Sequence, residues 1–304
     1  MHEIGLIGLG RMGANMARRL SRKGFALVVH NRTHPVAQEL AAAEANMLAV
    51  PSLDELVGTL AAPRIVWLML PAGEATEQAI MQLSTLLAPG DLLVNGANAY
   101  YQDSMRHAEE LADRNIRYVD AGVSGGIWGL ENGYALMLGG MPQSIARLKP
   151  FIEALAPAPD QGWVHCGPAG SGHFAKMVHN GIEYGMMQAL AEGLALMKSK
   201  TEFNYDLAAV AESWRHGSVV RSWLLDLTAE VLKRDQNLDH IDPHVADSGE
   251  GRWTALEAIN QRVPAPVMSL ALMMRYATQG NNDYPAKLLA MMRNAFGGHG
   301  IGSK

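Results

Sequence analysis

Short apolar runs alternate with helical patterns through the first half of the chain. Each run is nearly continuous in apolar residues and is bounded by Gly, Pro or Asn, which is typical of parallel strands buried on both faces. The predicted strands are Ile4–Ile7, Phe25–Val29, Ile65–Leu70, Asp91–Val94, Arg117–Asp120 and Leu136–Leu138. The predicted helices are Asn15–Lys23, Val36–Ala45, Glu74–Leu87 and Ser104–Asn115. This alternation implies right-handed crossovers and an α/β fold with a doubly wound (Rossmann) sheet.

Glycine and proline cluster near residues 157–172, and the pattern changes there. Beyond this segment strand patterns disappear and helical periodicity continues to the end,. We therefore predict an α/β domain over residues 1–165 and an all-helical domain over residues 166–304. Two apolar segments of the helical half, Val219–Leu227 and Val267–Met274, either pack against a second subunit or form internal core,.

The composition is that of an ordinary globular protein, with 48% hydrophobic and 18% charged residues among 304,. A formal net charge of −5 argues against a nucleic-acid partner, because phosphate backbones are bound by clustered Lys and Arg,. Cys166 is the single cysteine, so no intramolecular disulfide forms,. With neither a signal-peptide pattern nor an apolar run of membrane-spanning length, we expect a cytoplasmic protein without a membrane partner.

The histidines do not predict a metal site. His240 and His244 stand four residues apart, but Pro243 breaks the helix that would align them as ligands,. The other histidines lack a full ligand set at a recognisable spacing. We therefore expect no metal.

A glycine-rich turn follows the first predicted strand and precedes the first helix. Such a turn lets the backbone approach a pyrophosphate, and the helix N-terminus then offers N–H groups to the phosphates. A chance glycine-rich turn is the alternative, but the strand and helix context favours a dinucleotide site. The predicted cofactor-binding residues of this turn are Gly8, Leu9, Gly10, Arg11, Met12 and Gly13.

The end of the second strand bears on the choice of cofactor. NAD-binding chains usually place an acidic residue there, whereas this sequence reads His-Asn-Arg-Thr over residues 30–33,. Arg32 can pair with a 2′-phosphate, which favours NADP over NAD. A solvated loop arginine and the use of both cofactors remain open. Asn31, Arg32 and Thr33 are thus predicted cofactor contacts.

Two further loops lie at the carboxyl ends of predicted strands, where open α/β sheets bind ligands. The loop after residue 69 contributes Leu70, Pro71 and Ala72 to the predicted cofactor site. The loop after residue 94 contributes Asn98, which we expect to contact the nicotinamide ribose or the substrate.

A glycine- and proline-rich run precedes a helix that we expect to begin near Ser171,. Polar positions on this helix follow steps of three and four residues and fall in a wedge of roughly 140°. They are Lys176, His179, Asn180, Glu183 and Tyr184. Apolar positions occupy the rest: Phe174, Met177, Val178, Ile182 and Met186. Because a helix that is apolar nearly all round is buried, we expect the polar groups to line an internal cleft.

Lys176 and Glu183 are the candidate acid–base pair. They are seven residues apart, roughly 10 Å along a helix axis. This spacing suits an extended substrate, with a base at one carbon and an acid at another. A lysine that acts as a base must be neutral, and burial and a neighbouring positive nicotinamide both favour that form. The alternative is a buried hydrogen-bond network that only holds the helix in place.

Several stretches together resemble a known family, over essentially the whole chain. They are Gly8–Gly13, Asn31–Thr33, Asp120–Gly126, Lys176–Gly185, Val263–Pro264 and Arg293–His299. The chain is similar to the short form of the decarboxylating 6-phosphogluconate dehydrogenases and, more distantly, to the β-hydroxyacid dehydrogenase superfamily. The stretch Lys176–Gly185 is the most specific, since plain β-hydroxyacid dehydrogenases keep only its lysine and asparagine.

The resemblance implies NADP- or NAD-linked oxidation of 6-phospho-D-gluconate to ribulose 5-phosphate and CO2, as in pentose phosphate or gluconate metabolism. Lys176 would take the C3 hydroxyl proton, and Glu183 would protonate the enediol at C1 after CO2 leaves. The matching substrate-binding positions are Asn98, Ser124, Gly125, Gly126, His179 and Asn180. The matching phosphate-end positions are Tyr184, Arg275, Arg293 and His299, the last two reaching in from a neighbouring subunit.

The resemblance also implies a substrate-binding and oligomerising helical domain, in a homodimer or homotetramer whose tails complete the active sites. The chain departs from the long form at Ser248 and Glu250, where the long form carries a lysine and a threonine. Short-form relatives use either NAD or NADP.

Two other functions compete with this interpretation. One is another β-hydroxyacid dehydrogenase, such as a 3-hydroxyisobutyrate dehydrogenase or a tartronate semialdehyde reductase, which needs neither Glu183 nor the pair Arg275 and Arg293. The other is a catalytically silent NADP-binding sensor, which binds cofactor without turnover.

Overall fold

The first of two compact units, Met1–Met177, is built on one eight-stranded sheet. The computed structural model describes residues 2–280 and 283–297. The strands are β1 (Glu3–Ile7), β2 (Ala26–His30), β3 (Met47–Ala49), β4 (Ile65–Leu68), β5 (Leu92–Asn95), β6 (Arg117–Ser124), β7 (Ala135–Gly140) and β8 (Trp163–Gly167). The helices are α1 (Arg11–Arg22), α2 (His34–Ala43), α3 (Leu53–Thr59), α4 (Glu74–Leu86), α5 (Tyr101–Ala112), α6 (Gly129–Asn132), α7 (Pro142–Leu155) and the start of α8 (Ser171–Ser199).

The strand order is β3-β2-β1-β4-β5-β6-β7-β8. The first six strands are parallel, β7 runs antiparallel to β6, and β8 is parallel to β7. The chain moves outward from β1 in both directions, so the order reverses between β1 and β4. A crevice opens at the carboxyl ends of strands at such a switch point. The predicted doubly wound α/β domain is confirmed.

Both faces of the sheet are buried, as the continuous apolar runs predict. In β4, Ile65 and Trp67 belong to the core on one face, while Val66 and Leu68 belong to the core on the other. Successive side chains of a strand point to opposite faces, so a strand covered on both sides must be apolar throughout.

Some elements of this unit carry weak sequence signals, and sequence analysis missed them. β8 alternates between half-buried and exposed positions, because it is an edge strand. α7 contains Pro150, a residue that normally argues against a helix interior,. β3 and α3 are too short for a clear period. α1 begins at Arg11 rather than Asn15, since the glycine turn leads directly into the helix.

The described part of the second unit, Val178–Lys304, contains helices and no strand. It holds the rest of α8 and the helices α9 (Leu207–Arg215), α10 (Trp223–Arg234), α11 (Glu250–Asn260), α12 (Pro266–Thr278) and α13 (Asp283–Gly297). One core joins α8, α9 and α10 through Leu194, Leu207 and Leu225. Another joins α8, α11 and α12 through Tyr184 and Leu272, among others. Among the helices of the described residues, none is long and apolar enough to cross a membrane.

The two apolar segments of the helical half, Val219–Leu227 and Val267–Met274, each contain both buried core residues and exposed apolar residues. In the first, Leu225 is fully buried while Val219 is fully exposed. In the second, Leu272 is buried while Val267 and Leu270 are largely exposed. Each segment therefore gives one side to the internal core and leaves apolar side chains uncovered in the single chain.

The two units divide inside α8, between Met177 and Val178, further along the chain than the predicted boundary at residues 165 and 166. The physical reason is that the first turns of α8 pack tightly on the sheet. A Cβ on Gly172 would lie 2.7 Å from the backbone nitrogen of Gly139 in β7, closer than real side chains approach.

Candidate active site

The glycines after β1 each meet a different steric demand. Gly8 has a φ of +93°, and a Cβ there would lie 2.5 Å from the carbonyl oxygen of Met69. A Cβ on Gly13 would collide with the carbonyl oxygen of Gly8, so this glycine lets α1 approach the strand. A Cβ on Gly10 would meet nothing within 4 Å. Gly10 therefore faces open space, as the residue beside a bound pyrophosphate must.

A cavity of about 630 Å³ lies over this turn in the first unit. The predicted cofactor residues that line it are Gly8, Gly10, Arg11, Met12, Gly13, Asn31, Arg32, Thr33, Leu70, Pro71 and Asn98. Leu9 packs its side chain into the core instead, and Ala72 lies outside the lining. The structure thus brings together four separate loops at the switch point.

Asn31 ties the end of β2 to the glycine turn. Its Oδ1 accepts the backbone N–H of Leu9 at 3.1 Å, and its Nδ2 donates to the carbonyl of Thr33 at 3.1 Å. Arg32 follows with an exposed side chain at the cavity. No acidic residue is among the residues that line this cavity, which agrees with the absence of a carboxylate at this position of the sequence.

Three polar residues of the cavity were missed by sequence analysis. His30 ends β2, and its Nδ1 lies 3.2 Å from the carbonyl oxygen of Val50. Gln78 and Gln82 lie on α4, four residues apart and therefore on one face of the helix,. That spacing was the available signal, but glutamines on a helix are usually solvated and do not stand out.

Asn98 is held in place by β6. It adopts a left-handed φ of +48°. Its Nδ2 donates to the carbonyl of Val123 at 3.1 Å, and its Oδ1 accepts the Val123 N–H at 2.9 Å. This pair of bonds fixes the loop after β5 beside Ser124, the last residue of β6. Gly125 and Gly126 then turn the chain with positive φ angles.

A buried carboxylate meets the start of α8. Asp120 of β6 is fully buried, and its two oxygens accept the backbone N–H groups of Gly170 at 2.6 Å and His173 at 2.7 Å. Burial raises the pKa of Asp120 to about 6, although these hydrogen bonds act in the opposite direction. His173 is also buried, and its Nδ1 lies 2.7 Å from Ser104 Oγ. Burial lowers the pKa of His173 to about 4, so its ring is neutral near pH 7.

Lys176 is buried one turn further along α8, with only 6% of its surface exposed. The Cβ of Lys176 lies against Gly122 of β6, and a Cβ on Gly122 would collide with it. Lysine side chains are rarely buried unless they are paired or functional, so Lys176 is a candidate catalytic residue.

Polar side chains of the second unit form a hydrogen-bonded series. Asn180 Nδ2 donates to the carboxylate of Glu250, and Asn180 Oδ1 lies 2.9 Å from His179 Nδ1. Because a carboxylate only accepts, Glu250 fixes which way the Asn180 amide faces. The amide oxygen also only accepts, so the proton of the second bond lies on His179 Nδ1. Glu183 Oε2 is 4.0 Å from the same nitrogen.

The prediction that α8 is buried all round is wrong for the part that begins at His179. The side chains of His179 and Glu183 are 42% and 40% exposed, and Ile182 is 50% exposed. Met186, expected to pack, is also exposed. In the single chain these apolar side chains are exposed. The periodicity of apolar positions along α8 therefore predicts an apolar helix face but does not predict what packs against it.

The predicted phosphate end is partly assembled. The guanidinium of Arg275 lies over the ring of Tyr184, 3.4 Å from its centroid, and Tyr184 Oη lies 3.1 Å from Ser248 Oγ. Arg275 Nη1 also donates to the carbonyl of Ala246 at 3.0 Å. Arg293 lies on α13 with an exposed side chain. His299 lies outside the described residues.

The glycine turn and the cavity at the switch point are typical of nicotinamide-dependent oxidoreductases,. Comparison with known families agrees. A model described as the NAD binding domain of 6-phosphogluconate dehydrogenase matches residues 3–167. A model described as the 6-phosphogluconate dehydrogenase C-terminal domain matches residues 172–284. The chain belongs to the 6-phosphogluconate dehydrogenase family.

Relatives of two lengths match the chain. A putative 6-phosphogluconate dehydrogenase (YqeC) of Bacillus subtilis is 37% identical, over 99% of this chain and 100% of its own. An NAD(+)-dependent, decarboxylating 6-phosphogluconate dehydrogenase of Haloferax volcanii is 37% identical, over 99% of both chains. A decarboxylating 6-phosphogluconate dehydrogenase of Lactococcus lactis is 36% identical over 90% of this chain, which covers only 61% of that relative.

Solved structures agree with the family. The 6-phosphogluconate dehydrogenase of Plasmodium falciparum superposes with a TM-score of 0.84 at 31% identity, over 99% of this chain and 66% of that one. A 3-hydroxyisobutyrate dehydrogenase of Mycobacterium tuberculosis superposes with a TM-score of 0.72 at 22% identity, over 93% of this chain and 94% of that one. The second likeness shows a shared fold only.

Two glycine variants separate folding from cofactor binding. We expect Gly10→Ala to leave thermal stability nearly unchanged, because its backbone conformation suits alanine and its Cβ position is empty. It should weaken dinucleotide binding by about tenfold or more, roughly 1.4 kcal/mol, since the methyl occupies the space for the pyrophosphate. Titration calorimetry with NADP and with NAD measures this.

Gly13→Ala is the matched comparison. Its methyl collides with the Gly8 carbonyl, so we expect a loss of about 1–3 kcal/mol in the free energy of unfolding,. Dinucleotide affinity that is equal in wild type and Gly10→Ala would contradict the assignment of the pyrophosphate to this turn.

Proposed function

We propose that the chain is a decarboxylating 6-phosphogluconate dehydrogenase, which converts 6-phospho-D-gluconate to ribulose 5-phosphate and CO2 while NADP or NAD is reduced. The observation that carries this proposal is the pair of Lys176 and Glu183 on one unbroken helix, with Lys176 buried. The names of the full-length relatives support the substrate.

Lys176 acts as the base in the oxidation. A bound nicotinamide would supply the hydride acceptor for C3 of the substrate. Lys176 Nζ takes the proton of the C3 hydroxyl as that hydride leaves, so C3 becomes a ketone. A base must be neutral, and burial disfavours the charged form of an amine. The contact between Gly122 and the Lys176 Cβ holds the stem of this side chain against β6.

Glu183 acts as the acid after decarboxylation. The 3-keto acid loses CO2, and the electron pair of the broken bond forms an enediolate whose C3 oxygen takes back the proton held by Lys176. Glu183 then donates a proton to the carbon that carried the carboxylate, which becomes C1 of the product, while Lys176 removes the hydroxyl proton again and the ketone forms. The two side chains are seven residues apart, roughly 10 Å along the helix, so each reaches a different carbon of an extended substrate. Glu183 is 40% exposed, which gives it a route for reprotonation from water.

The remaining predicted residues orient the substrate. Asn98, Ser124, Gly125, Gly126, His179 and Asn180 contact its hydroxyl and carboxylate groups. With the His179 proton on Nδ1, Nε2 is the acceptor atom of the ring, and we assign it to a substrate hydroxyl. Tyr184 and Arg275 contact the phosphate, and Arg293 and His299 reach it from a neighbouring subunit of a homodimer or homotetramer.

NADP is the favoured cofactor. An arginine without a neighbouring carboxylate suits a 2′-phosphate, and Arg32 lines the cavity with an exposed side chain,. The family uses both cofactors, since Bacillus subtilis relatives named NAD(+)-dependent and NADP(+)-dependent match at 34% and 35% identity.

Turnover of 6-phosphogluconate tests the proposal directly. The purified chain is incubated with 6-phosphogluconate and each cofactor, and reduced nicotinamide and CO2 are measured together. We expect both products in equal amounts. Lys176→Ala should lower kcat by about 10³-fold and Glu183→Ala by about 10²-fold, because each removes a proton-transfer group. Circular dichroism confirms that both variants are folded.

The competing functions give different results in the same assay. Reduced nicotinamide from 3-hydroxyisobutyrate but not from 6-phosphogluconate would favour another β-hydroxyacid dehydrogenase. Cofactor binding without turnover of either substrate would favour a sensor. A Glu183→Ala variant with wild-type kcat would refute the assignment of the acid.

Cofactor choice is tested by Arg32→Ala. We expect KM for NADP to rise about tenfold while KM for NAD changes little, because only NADP offers the 2′-phosphate to a charge-assisted hydrogen bond. Arg11→Ala is the comparison, since Arg11 is an exposed arginine of the glycine turn at the same cavity, and its loss should change KM for NADP and NAD alike. An equal rise for both cofactors in Arg32→Ala would reject the 2′-phosphate role.

A further inference from the structure

Asp120 is a buried ionisable residue that the proposed chemistry does not use. It is 0% exposed and lies in the middle of β6. Its two carboxylate oxygens are both engaged, one with the N–H of Gly170 and one with the N–H of His173. Both donors belong to the start of α8, the helix that carries Lys176. The carboxylate therefore joins the sheet to the first turn of this helix.

Burial makes the ionised form of Asp120 less favourable than it would be in water. Burial raises its pKa to about 6, so the folded chain favours the neutral acid more than water does. An asparagine would avoid the buried charge but would offer one acceptor instead of two. Because Gly170 and His173 donate to different oxygens of Asp120, the NH2 group of an asparagine would face one of these N–H donors, whereas both oxygens of a carboxylate accept,.

A second contact follows on the same face of β6. Residues two apart on a strand point to the same side, so Asp120 and Gly122 both face α8. Gly122 lies against the Cβ of Lys176, and a side chain at Gly122 would collide with it. Ser124 is the next residue on this face. Along one face of β6, Asp120 therefore contacts the start of α8, Gly122 contacts the side chain of Lys176, and Ser124 is a predicted substrate-binding residue.

Glycines leave this contact without adjustable side chains. A Cβ on Gly139 of β7 would lie 2.5 Å from Asp120 Oδ1 and 2.7 Å from the Gly172 nitrogen. A Cβ on Gly172 would lie 2.8 Å from the Asp120 carbonyl oxygen. The backbone at the start of α8 is therefore in direct contact with the backbone of the sheet. Because no side chain lies between them to absorb a shift of the helix start, such a shift would also move Lys176.

We propose that Asp120 is a positioning residue, which sets the location of Lys176 relative to the substrate by anchoring the first turn of α8 to β6. This inference rests on the proposed function, in which Lys176 is the base. A helix start that moves by about 1 Å would misplace the amine, and displacements of that size cost up to about a hundredfold in rate.

The test compares Asp120→Asn with Asp91→Asn in the whole chain. Asp91 is an equally buried aspartate directly before β5 of the same unit, and it accepts the N–H groups of Arg64 at 2.6 Å and Ala88 at 2.9 Å. These partners lie outside α8. Each variant is assayed for kcat, for KM of substrate and cofactor, and for the pH dependence of kcat.

We expect Asp120→Asn to lower kcat by about tenfold or more, with KM for the dinucleotide unchanged. The limb of the pH profile that reports Lys176 should also move, which a general loss of stability would not cause. Asp91→Asn should lower the unfolding temperature and keep the wild-type kcat and pH profile. Equal kcat losses in the two variants, or an unmoved profile in Asp120→Asn, would overturn the proposal.

A readout without substrate separates this proposal from the proposed function. Lys176 is acetylated with trace acetic anhydride at a series of pH values, and its modification is measured by mass spectrometry. We expect the curve of rate against pH to move in Asp120→Asn and to match wild type in Asp91→Asn. If the curve moves while wild type does not turn over 6-phosphogluconate, the proposed function fails and the positioning role stands. Coincident curves refute the positioning role whatever the turnover.

A second pair of variants decides the matter if Asp120→Asn does not fold. Gly122→Ala places a methyl against the Lys176 Cβ, and we expect the same loss of kcat. Gly5→Ala is its control, because a Cβ there meets only the side chains of Leu56 and Leu60, at 2.7 Å and 2.8 Å. Wild-type kcat in Gly122→Ala would overturn the proposal.

Discussion

Buried N–H groups at the start of α8 impose the constraint on which the rest of this site depends. A helix leaves its first N–H groups without partners inside the helix, and a buried donor without an acceptor costs about 1–3 kcal/mol. Asp120 supplies the acceptors from β6. The helix can therefore begin inside the protein, pressed against the sheet, instead of at a solvated edge. Lys176 is buried because its helix starts there.

The same physical device appears at the cofactor turn. Gly13 lets α1 touch the backbone of Gly8, just as Gly122 and Gly172 let α8 touch the sheet. In both places a missing Cβ allows backbone to meet backbone, and a helix N-terminus is brought to a fixed point of the sheet. Under the proposed function, the same steric rule positions one helix for the dinucleotide and another for the chemistry.

Local patterns were enough to predict the doubly wound sheet, the glycine turn and the start of α8 at Ser171, which the structure confirms. Each depends on residues that are neighbours in sequence. The partnership of Asp120 with His173 spans 53 positions and that of Asn180 with Glu250 spans 70, so no local period reveals them. The prediction that α8 is buried all round failed for a related reason. Apolar Ile182 predicts that something covers it, but not whether that cover lies in the same chain.

The charges beside Tyr184, in the middle of α8, bear on the role of the arginine that stands over its ring. Under the proposed function a phosphate dianion binds here, yet Ser248 supplies a hydroxyl where the resemblance implies a lysine in the long form, and Glu250 adds a negative charge two residues on. The Asn180 amide engages the Glu250 carboxylate and so directs it toward α8. Arg275 is held over the Tyr184 ring at 3.4 Å and tied to the Ala246 carbonyl, so its planar fork is ordered before any ligand arrives. A preorganised guanidinium loses less entropy on binding than a mobile ammonium, which offsets part of the missing lysine charge.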